Sequence, residues 1–303
     1  TSTQISHMNL QYSHTIGRGE QFGPGFTYPI QMARGEDDLM YVLCRSSEYR
    51  PEGTRIAVCT VDEEYVNVFA RGVPQQVPHG YNFDDGSLVW PTCVAIDSQQ
   101  NVYVCDEWLN RISIFSKEGE FLGKWEEREG VGDGEVNRPS GMAFDADDNL
   151  FIVDSLNHRV QKFSAEGEFE QQIGRPGNKR GELTGPTDVA VDPDGDIYVC
   201  DWSANRWDRG KVHIFTPEGQ FLTALVGDAQ QLSHWAQMTA DANADYAKRR
   251  REVRSTEPEW TFAQPTAVEW DTANNRLMVA DTQRSRLQIY KKTSGYLVPQ
   301  LNL

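Results

Sequence analysis

No stretch of this 303-residue chain approaches the roughly 18 consecutive apolar residues that a membrane-spanning helix needs, and no basic, apolar, small-residue leader opens it. Nothing in the sequence addresses it to a membrane, although a first residue other than Met is compatible with a leader already removed. Basic residues are scarce. The chain has 29 Lys and Arg against 45 Asp and Glu, a net charge of −16, which argues against nucleic acid as a partner because neutralising phosphates requires a basic surface. Its one basic cluster, Lys248-Arg249-Arg250-Arg251 with Arg254, falls in an expected helix flanked by acids and reads as a solvated face. Cysteine is sparse and odd in number, five, with no CxxC, which excludes a dense disulfide framework and favours a reducing cytoplasm. Cys44, Cys105 and Cys200 read as one repeat position, filled by Val153 and Ala280 elsewhere, and so as small buried hydrophobes. There is no G-x-S-x-G elbow, P-loop or dinucleotide fingerprint.

What the chain does have is a repeated phrase. Four clear copies open at Pro91, Pro139, Pro186 and Pro265, and a weaker fifth opens at Pro29. Each continues as an inner strand, turns at an Asp or Gly cluster and enters a short run such as Val102-Tyr103-Val104-Cys105, Leu150-Phe151-Ile152-Val153, Ile197-Tyr198-Val199-Cys200 or Leu277-Met278-Val279-Ala280. These runs, rich in β-branched and aromatic residues and bounded by turn residues, are expected to be strands buried on both faces. Repeats of about 40 to 50 residues, each holding several short strands, specify a β-propeller, because one blade cannot bury both of its faces alone. The expectation is an all-β protein, a single propeller domain over 1–303 with five four-stranded blades, or six as the alternative. A strand over Leu10 to Ile16 is expected to close the ring. After the second strand of each clear copy comes Asp106, Asp154, Asp201 or Asp281, with Arg111, Arg159, Arg206 or Arg286 five residues on. This pair is expected to tie the hairpin between the second and third strands, since buried charges persist when partnered.

The segment Asp154-Ser155-Leu156-Asn157-His158-Arg159-Val160-Gln161-Lys162-Phe163 closely resembles the core of an NHL repeat, and Asp106 to Phe115, Asp201 to Phe215 and Asp281 to Tyr290 are looser copies. The resemblance spans roughly residues 28 to 292 and implies a propeller of four-stranded blades, commonly six. It narrows function little, because such propellers include binding modules as well as enzymes. The chain is also distantly similar to the peptide-amidating lyases, which hold zinc through histidines placed just after the strand-opening proline. The matching positions here are Ile30, Thr92, Ser140, Thr187 and Thr266, which cannot replace imidazole, so no metal site is expected.

Function is expected on one face. Turns between the first and second strands stay short, as at Asp97 to Asn101, Asp145 to Asn149 and Asp192 to Asp196, and so do the third-to-fourth turns at Gly119, Gly167 and Gly219. The long segments, Ile16 to Tyr28, Arg45 to Thr54, Arg71 to Val89 and Val226 to Gln264, all fall on the opposite face, and variable loops on a rigid scaffold carry sites. Within an insertion over 227–263, Leu232, Trp235, Met238, Thr239, Ala242 and Tyr246 recur at helical spacing, so a lid-like helix is expected near 228–258, with Trp260 and Phe262 anchoring its return. Second-to-third loops place Arg45, Tyr49, Trp108, Ser155 and Trp202 at the mouth as candidate ligand-binding residues, with Trp235 from the insertion. Arg45 is read as standing where the other copies have Asp. Asp188, Glu107 and Glu48 are the candidate catalytic carboxylates. Asp188 stands where Cys93, Gly141 or Ala267 do, and Glu269 where Ala95, Ala143 or Ala190 do. A buried Glu269 would need a cationic partner or a raised pKa, and a structural ion pair is the reading favoured. The expected role is binding of a small polar or carboxylated ligand, or a peptide, on the lidded face. The alternative is a hydrolase, lyase or isomerase, lactonase-like, using these carboxylates as acid and base. No cofactor is called for by a motif, though carboxylates on that face would suit calcium.

Overall fold

The computed structural model describes residues 25–36, 38–47, 49–60, 62, 64–74, 83–126, 129–202, 210–227, 261–281 and 286–292. They build five antiparallel blades. Blade 1 is β1 (Pro29–Arg34), β2 (Leu39–Cys44), β3 (Arg55–Thr60) and β4 (Tyr65–Phe69), followed by a short parallel pair, β5 (Arg71–Gly72) and β6 (Ser87–Leu88). Blade 2 is β7 (Pro91–Ile96), β8 (Val102–Asp106), β9 (Arg111–Phe115) and β10 (Phe121–Glu126). Blade 3 is β11 (Pro139–Phe144), β12 (Leu150–Asp154), β13 (Arg159–Phe163) and β14 (Phe169–Ile173). Blade 4 is β15 (Pro186–Val191), β16 (Ile197–Asp201), β17 (Lys211–Phe215) and β18 (Phe221–Leu225), and blade 5 shows β19 (Pro265–Asp271), β20 (Arg276–Asp281) and β21 (Arg286–Lys291). Every expected repeat is a blade, opened at the expected proline. The expected closing strand over Leu10 to Ile16 and residues 228–260 of the expected helical insertion lie outside the described residues. The insertion's return is anchored as expected at Phe262, which is fully buried and donates its amide to Val226 O at 2.8 Å.

Inner strands pack in sequence, β1 on β7, β7 on β11, β11 on β15 and β15 on β19. Period-two alternation assigns the two sides of each inner strand to different neighbours. Val94 of β7 joins Tyr41, Leu43 and Val58 of blade 1, whereas Cys93 and Ala95 join Met142, Leu150 and Ile152 of blade 3. Similar clusters hold blade 3 to blade 4 and blade 4 to blade 5. Each Val, Leu, Ile or Phe fully buried there contributes about 1.5–3 kcal/mol to holding neighbouring blades together.

Turns on the short side are self-contained. Asp97 Oδ1 accepts the amides of Gln99 and Asn101, Asp145 Oδ1 those of Asp147 and Asn149, and Asp192 Oδ1 those of Asp194 and Asp196. Such Asx turns fix tight reversals without help from neighbours.

The recurring Asp does more than tie a hairpin. In blade 3, Arg159 Nε does meet Asp154 Oδ2 at 2.8 Å, but Asp154 also accepts the Asn137 amide, which leads into the blade. Asp106 accepts the amides of Val89 and Trp90, Asp201 those of Thr184 and Gly185, and Asp281 those of Ala263 and Gln264. Each Asp therefore pins the lead-in segment of its own blade. The Arg holds carbonyls of the same segment, as Arg111 does Ser87 O and Arg159 does Glu135 O. One of these pairs cannot be followed and one expectation is corrected. Asp201 pairs in register with Lys211, and its carboxylate lies 3.5 Å from His213 Nε2, because the loop after it is longer than in the other blades; Arg206 lies outside the described residues. In blade 1 the residue at the Asp position is Cys44, not Arg45. Pro29 pairs with Cys44 as Pro91 pairs with Asp106, and Leu43 is the counterpart of Cys105 and Cys200. Arg55, opposite Cys44, keeps the arginine's role by donating to Gly25 O at 3.1 Å.

Candidate functional site

The corrected register makes Arg45, Glu107, Ser155 and Trp202 equivalent, each one residue past the end of the second strand, on the loop face. Arg45 leaves blade 1 and leans over blade 2. Its guanidinium lies 4.4 Å from the Trp90 ring centroid, and Nη1 reaches Pro91 O at 3.4 Å. Burial lowers the Arg45 pKa, opposed by the negative charges of Glu107 and Asp106. Even so, among the described residues no carboxylate forms an ion pair with it. Glu107 instead pairs with Arg138 at 3.2 Å. Glu107 is therefore a charge-neutralised rim residue, poorly placed to act as a general base.

Further aromatic side chains on the second-to-third loops are exposed. Trp108 and Trp202 are 49% and 44% exposed, and Tyr49 is 85% exposed. The backbone beneath both tryptophans is fixed, since the Trp108 amide donates to Asp106 Oδ1 and the Trp202 amide to Gly185 O. Ser155 lies 2.6 Å from Ser140 Oγ, while Ser155 Oγ also reaches Pro186 O at 2.8 Å and Ser140 Oγ reaches Thr187 O at 2.9 Å. Two hydroxyl protons serve three contacts, so one is shared, and Ser155 could meet a ligand chiefly as an acceptor. Thr92 and Thr187 likewise donate to Pro139 O and Thr266 O across their seams. Three of the residues after the opening prolines, Thr92, Ser140 and Thr187, read above as unable to hold zinc, are thus inter-blade fasteners. Glu48 and Trp235 lie outside the described residues.

Asp188 occupies the third position of β15, near the mouth end of the inner ring. It is 6% exposed and accepts the Val268 amide of blade 5 at Oδ2, 3.0 Å away. Burial raises its pKa to about 8, partly opposed by the amides of Val268 and Val189 and reinforced by Glu269. Gln31 does the same work at the seam between blades 1 and 2, accepting the Val94 amide. Gly141 is required opposite Asp188, because a Cβ there would lie 2.6 Å from Asp188 Oδ1 and 2.8 Å from Thr187 O. Glu269 departs from expectation. It is exposed and makes no hydrogen bond or ion pair among the described residues, yet the surrounding walls raise its pKa by desolvation.

Sequence reasoning passed over Trp90 and Arg138, which decide the states of Arg45 and Glu107. Trp90 had a signal, an aromatic immediately before the Pro91 that opens a strand. Arg138 had a weaker one, the same lead-in position before Pro139. Among the described residues no cluster of three or more His, Cys, Asp or Glu could hold a metal ion. A cleft of about 310 Å³ lies on the opposite face, lined by Glu36, Leu39, Tyr41, Val66, Asn67, Gln100, Lys117 and Glu118. Its polar groups bond one another, with Glu36 N donating to Gln100 Oε1, Asn67 Nδ2 to Glu118 O and Tyr41 Oη to Lys117 O.

The fold and this mouth define a β-propeller with a charged, aromatic loop face. A family model described as "6-bladed beta-propeller" matches residues 142–207, which run from β11 to the loop after β16. A structural genomics protein of unknown function from Bacteroides thetaiotaomicron VPI-5482 is similar in structure, with 14% sequence identity, a TM-score of 0.55, and coverage of 86% of this chain and 58% of that one. Virginiamycin B lyase from Staphylococcus aureus aligns at 11% identity over 88% of this chain and 70% of that chain, with a TM-score of 0.46. A protein of unknown function from Bacteroides caccae aligns at 12% identity over 84% and 70%, with a TM-score of 0.48. No curated protein matches the chain. The likeness to the Bacteroides thetaiotaomicron protein supports the propeller fold and goes no further.

Proposed function

We propose that this propeller binds a small carboxylated molecule on its loop face, with Arg45 as the anion anchor. The observation that carries the reading is the state of Arg45: half-buried over Trp90, joined to the protein by one long hydrogen bond, and without an ion pair among the described residues. A partly desolvated guanidinium in that state gains from an arriving carboxylate, because its planar fork can give two charge-assisted bonds. Trp108 and Trp202 supply exposed walls for the apolar part of such a ligand, and Tyr49 extends the rim. The Arg138 ion pair reduces the repulsion Glu107 would otherwise exert on an anion. A peptide C-terminus presents the same chemistry. Titration with acetate, succinate and citrate, followed by tryptophan fluorescence, should give saturable binding that weakens at least tenfold in Arg45→Gln and also falls in Trp202→Ala. Equal affinity in wild type and Arg45→Gln, or no response to any of the three, would refute the assignment.

A catalytic reading has one observation in its favour, the Asp188 carboxyl with a pKa of about 8, which is neutral at pH 7 and so able to donate a proton. Against it stand the burial of Asp188 and the commitment of Oδ2 to the Val268 amide. Loss of any hydrolytic or lyase turnover in Asp188→Asn, with loop-face binding retained, would favour this alternative over a pure binding role.

A further inference from the structure

Opposite charges occupy equivalent positions on neighbouring blades at the mouth. Arg45 and Glu107 each stand one residue past the second strand, in blades 1 and 2, and each leans onto the residue before the next opening proline. Arg45 lies 4.4 Å from the Trp90 ring centroid, and Glu107 meets Arg138 at 3.2 Å. Their surroundings are shared. The Glu107 amide donates to Trp90 O at 3.2 Å, and Pro91, whose carbonyl accepts from Arg45 Nη1, pairs in register with Asp106, the residue before Glu107. The Arg45 guanidinium therefore rests against the backbone that carries Glu107, and the Glu107 charge acts on it without an ion pair forming between them.

Glu107 also keeps capacity for a second cation. Arg138 Nη1 takes only Oε1, and Oε2 has no partner among the described residues. The side chains of that pair are 52% and 31% exposed, so it is a weak, solvent-screened contact that leaves Glu107 only partly neutralised. A plain carboxylate on Arg45 meets this residual negative charge as repulsion. An ammonium on the same ligand converts the repulsion into a charge-assisted hydrogen bond.

We infer, resting on the reading of Arg45 as an anion anchor, that the preferred ligand is a zwitterion with ammonium and carboxylate on one short stem, as in a small amino acid. Its carboxylate sits on Arg45 and its ammonium on Glu107 Oε2.

Calorimetric titration of the full chain with two matched pairs, acetate with glycine and butanoate with 4-aminobutanoate, tests this, because each pair differs by one ammonium in place of a hydrogen. In at least one pair the amino acid should bind about tenfold more tightly than its parent acid, and the better pair reports the stem length. Glu107→Gln should bring the two members of that pair within about twofold of each other, whereas Arg138→Gln, which leaves Glu107 its full charge, should widen the preference. Both substitutions lie on the exposed rim, so both variants should melt at the wild-type temperature, and preferences that move in opposite directions do not arise from unfolding. Equal affinity within both pairs, or a preference that persists in Glu107→Gln, would overturn the zwitterion assignment while leaving Arg45 as a carboxylate anchor. No binding of any of the four, or affinities unchanged in Arg45→Gln, would overturn the Arg45 reading and this inference with it.

Discussion

The two faces of the ring treat charge in opposite ways. On the turn face the recurring carboxylates are answered nearby: Asp97, Asp145 and Asp192 accept amides of their own turns, and Lys292 of blade 5 gathers Asp192, Asp194 and Asp196 of blade 4 at 2.5, 2.8 and 2.9 Å. Burial disfavours the Lys292 ammonium, but hydrogen bonds to these three carboxylates outweigh it and raise its pKa. On the loop face Arg45 lacks an ion pair among the described residues, and Trp108, Trp202 and Tyr49 stand exposed. A surface whose charges are satisfied internally holds a fold together. One that leaves a half-buried guanidinium without an ion pair among the described residues, on the same face as exposed aromatics, is where the proposed ligand would bind.

Breaking the comparison should produce effects of graded size. The largest is expected at Asp188, just inside the mouth. Its folded pKa of about 8 lies above the ordinary carboxylate value, so the folded state holds the proton more tightly, and stability is lost as pH rises from about 4 to about 8. The loss is on the order of 5 kcal/mol across that window. Asp188→Asn, which can still accept the Val268 amide, should flatten the profile and leave the variant more stable than wild type at pH 8, as read by urea unfolding at several pH values. A wild-type profile that is flat between pH 4 and 8 would contradict the assigned burial. Next comes the turn face: Lys292→Met strands three aspartates and should cost about 3 kcal/mol at low salt, less at high salt. Gly141→Ala should follow at about 1–3 kcal/mol, since its Cβ meets the Asp188 and Thr187 backbone as well as a flexible side chain. The smallest change belongs to Arg45→Gln, within about 0.5 kcal/mol in stability, although ligand affinity should collapse. A stability loss at Arg45 as large as at Lys292 would erase the distinction between the faces.

Much of this was legible because repetition is a strong signal. Five proline-led phrases gave five blades, and the short runs from Val102, Leu150, Ile197 and Leu277 are strands within a residue of where the pattern put them. The side of the ring carrying the exposed aromatics was also readable, from loop lengths alone. Blade 1 was misread because Tyr41-Val42-Leu43-Cys44 invites alignment of its cysteine with Cys105, while the pairing of Pro29 with Cys44 puts that cysteine at the Asp position. Partners distant in sequence left no local trace. Lys292 lies 100 residues from Asp192, and Arg138 lies 31 from Glu107. Among the described residues Glu269 makes no ion pair, for a different reason: its position was judged from alanines that the next blade covers, whereas Glu269 itself is exposed.

The most direct test of the loop-face assignment is a crystal structure with the best-binding carboxylate from the titration series. The account predicts density for the carboxylate against the Arg45 guanidinium, with the rest of the molecule between Trp108 and Trp202. Density confined to the turn face, in the cleft by Lys117 or at Lys292, would contradict it.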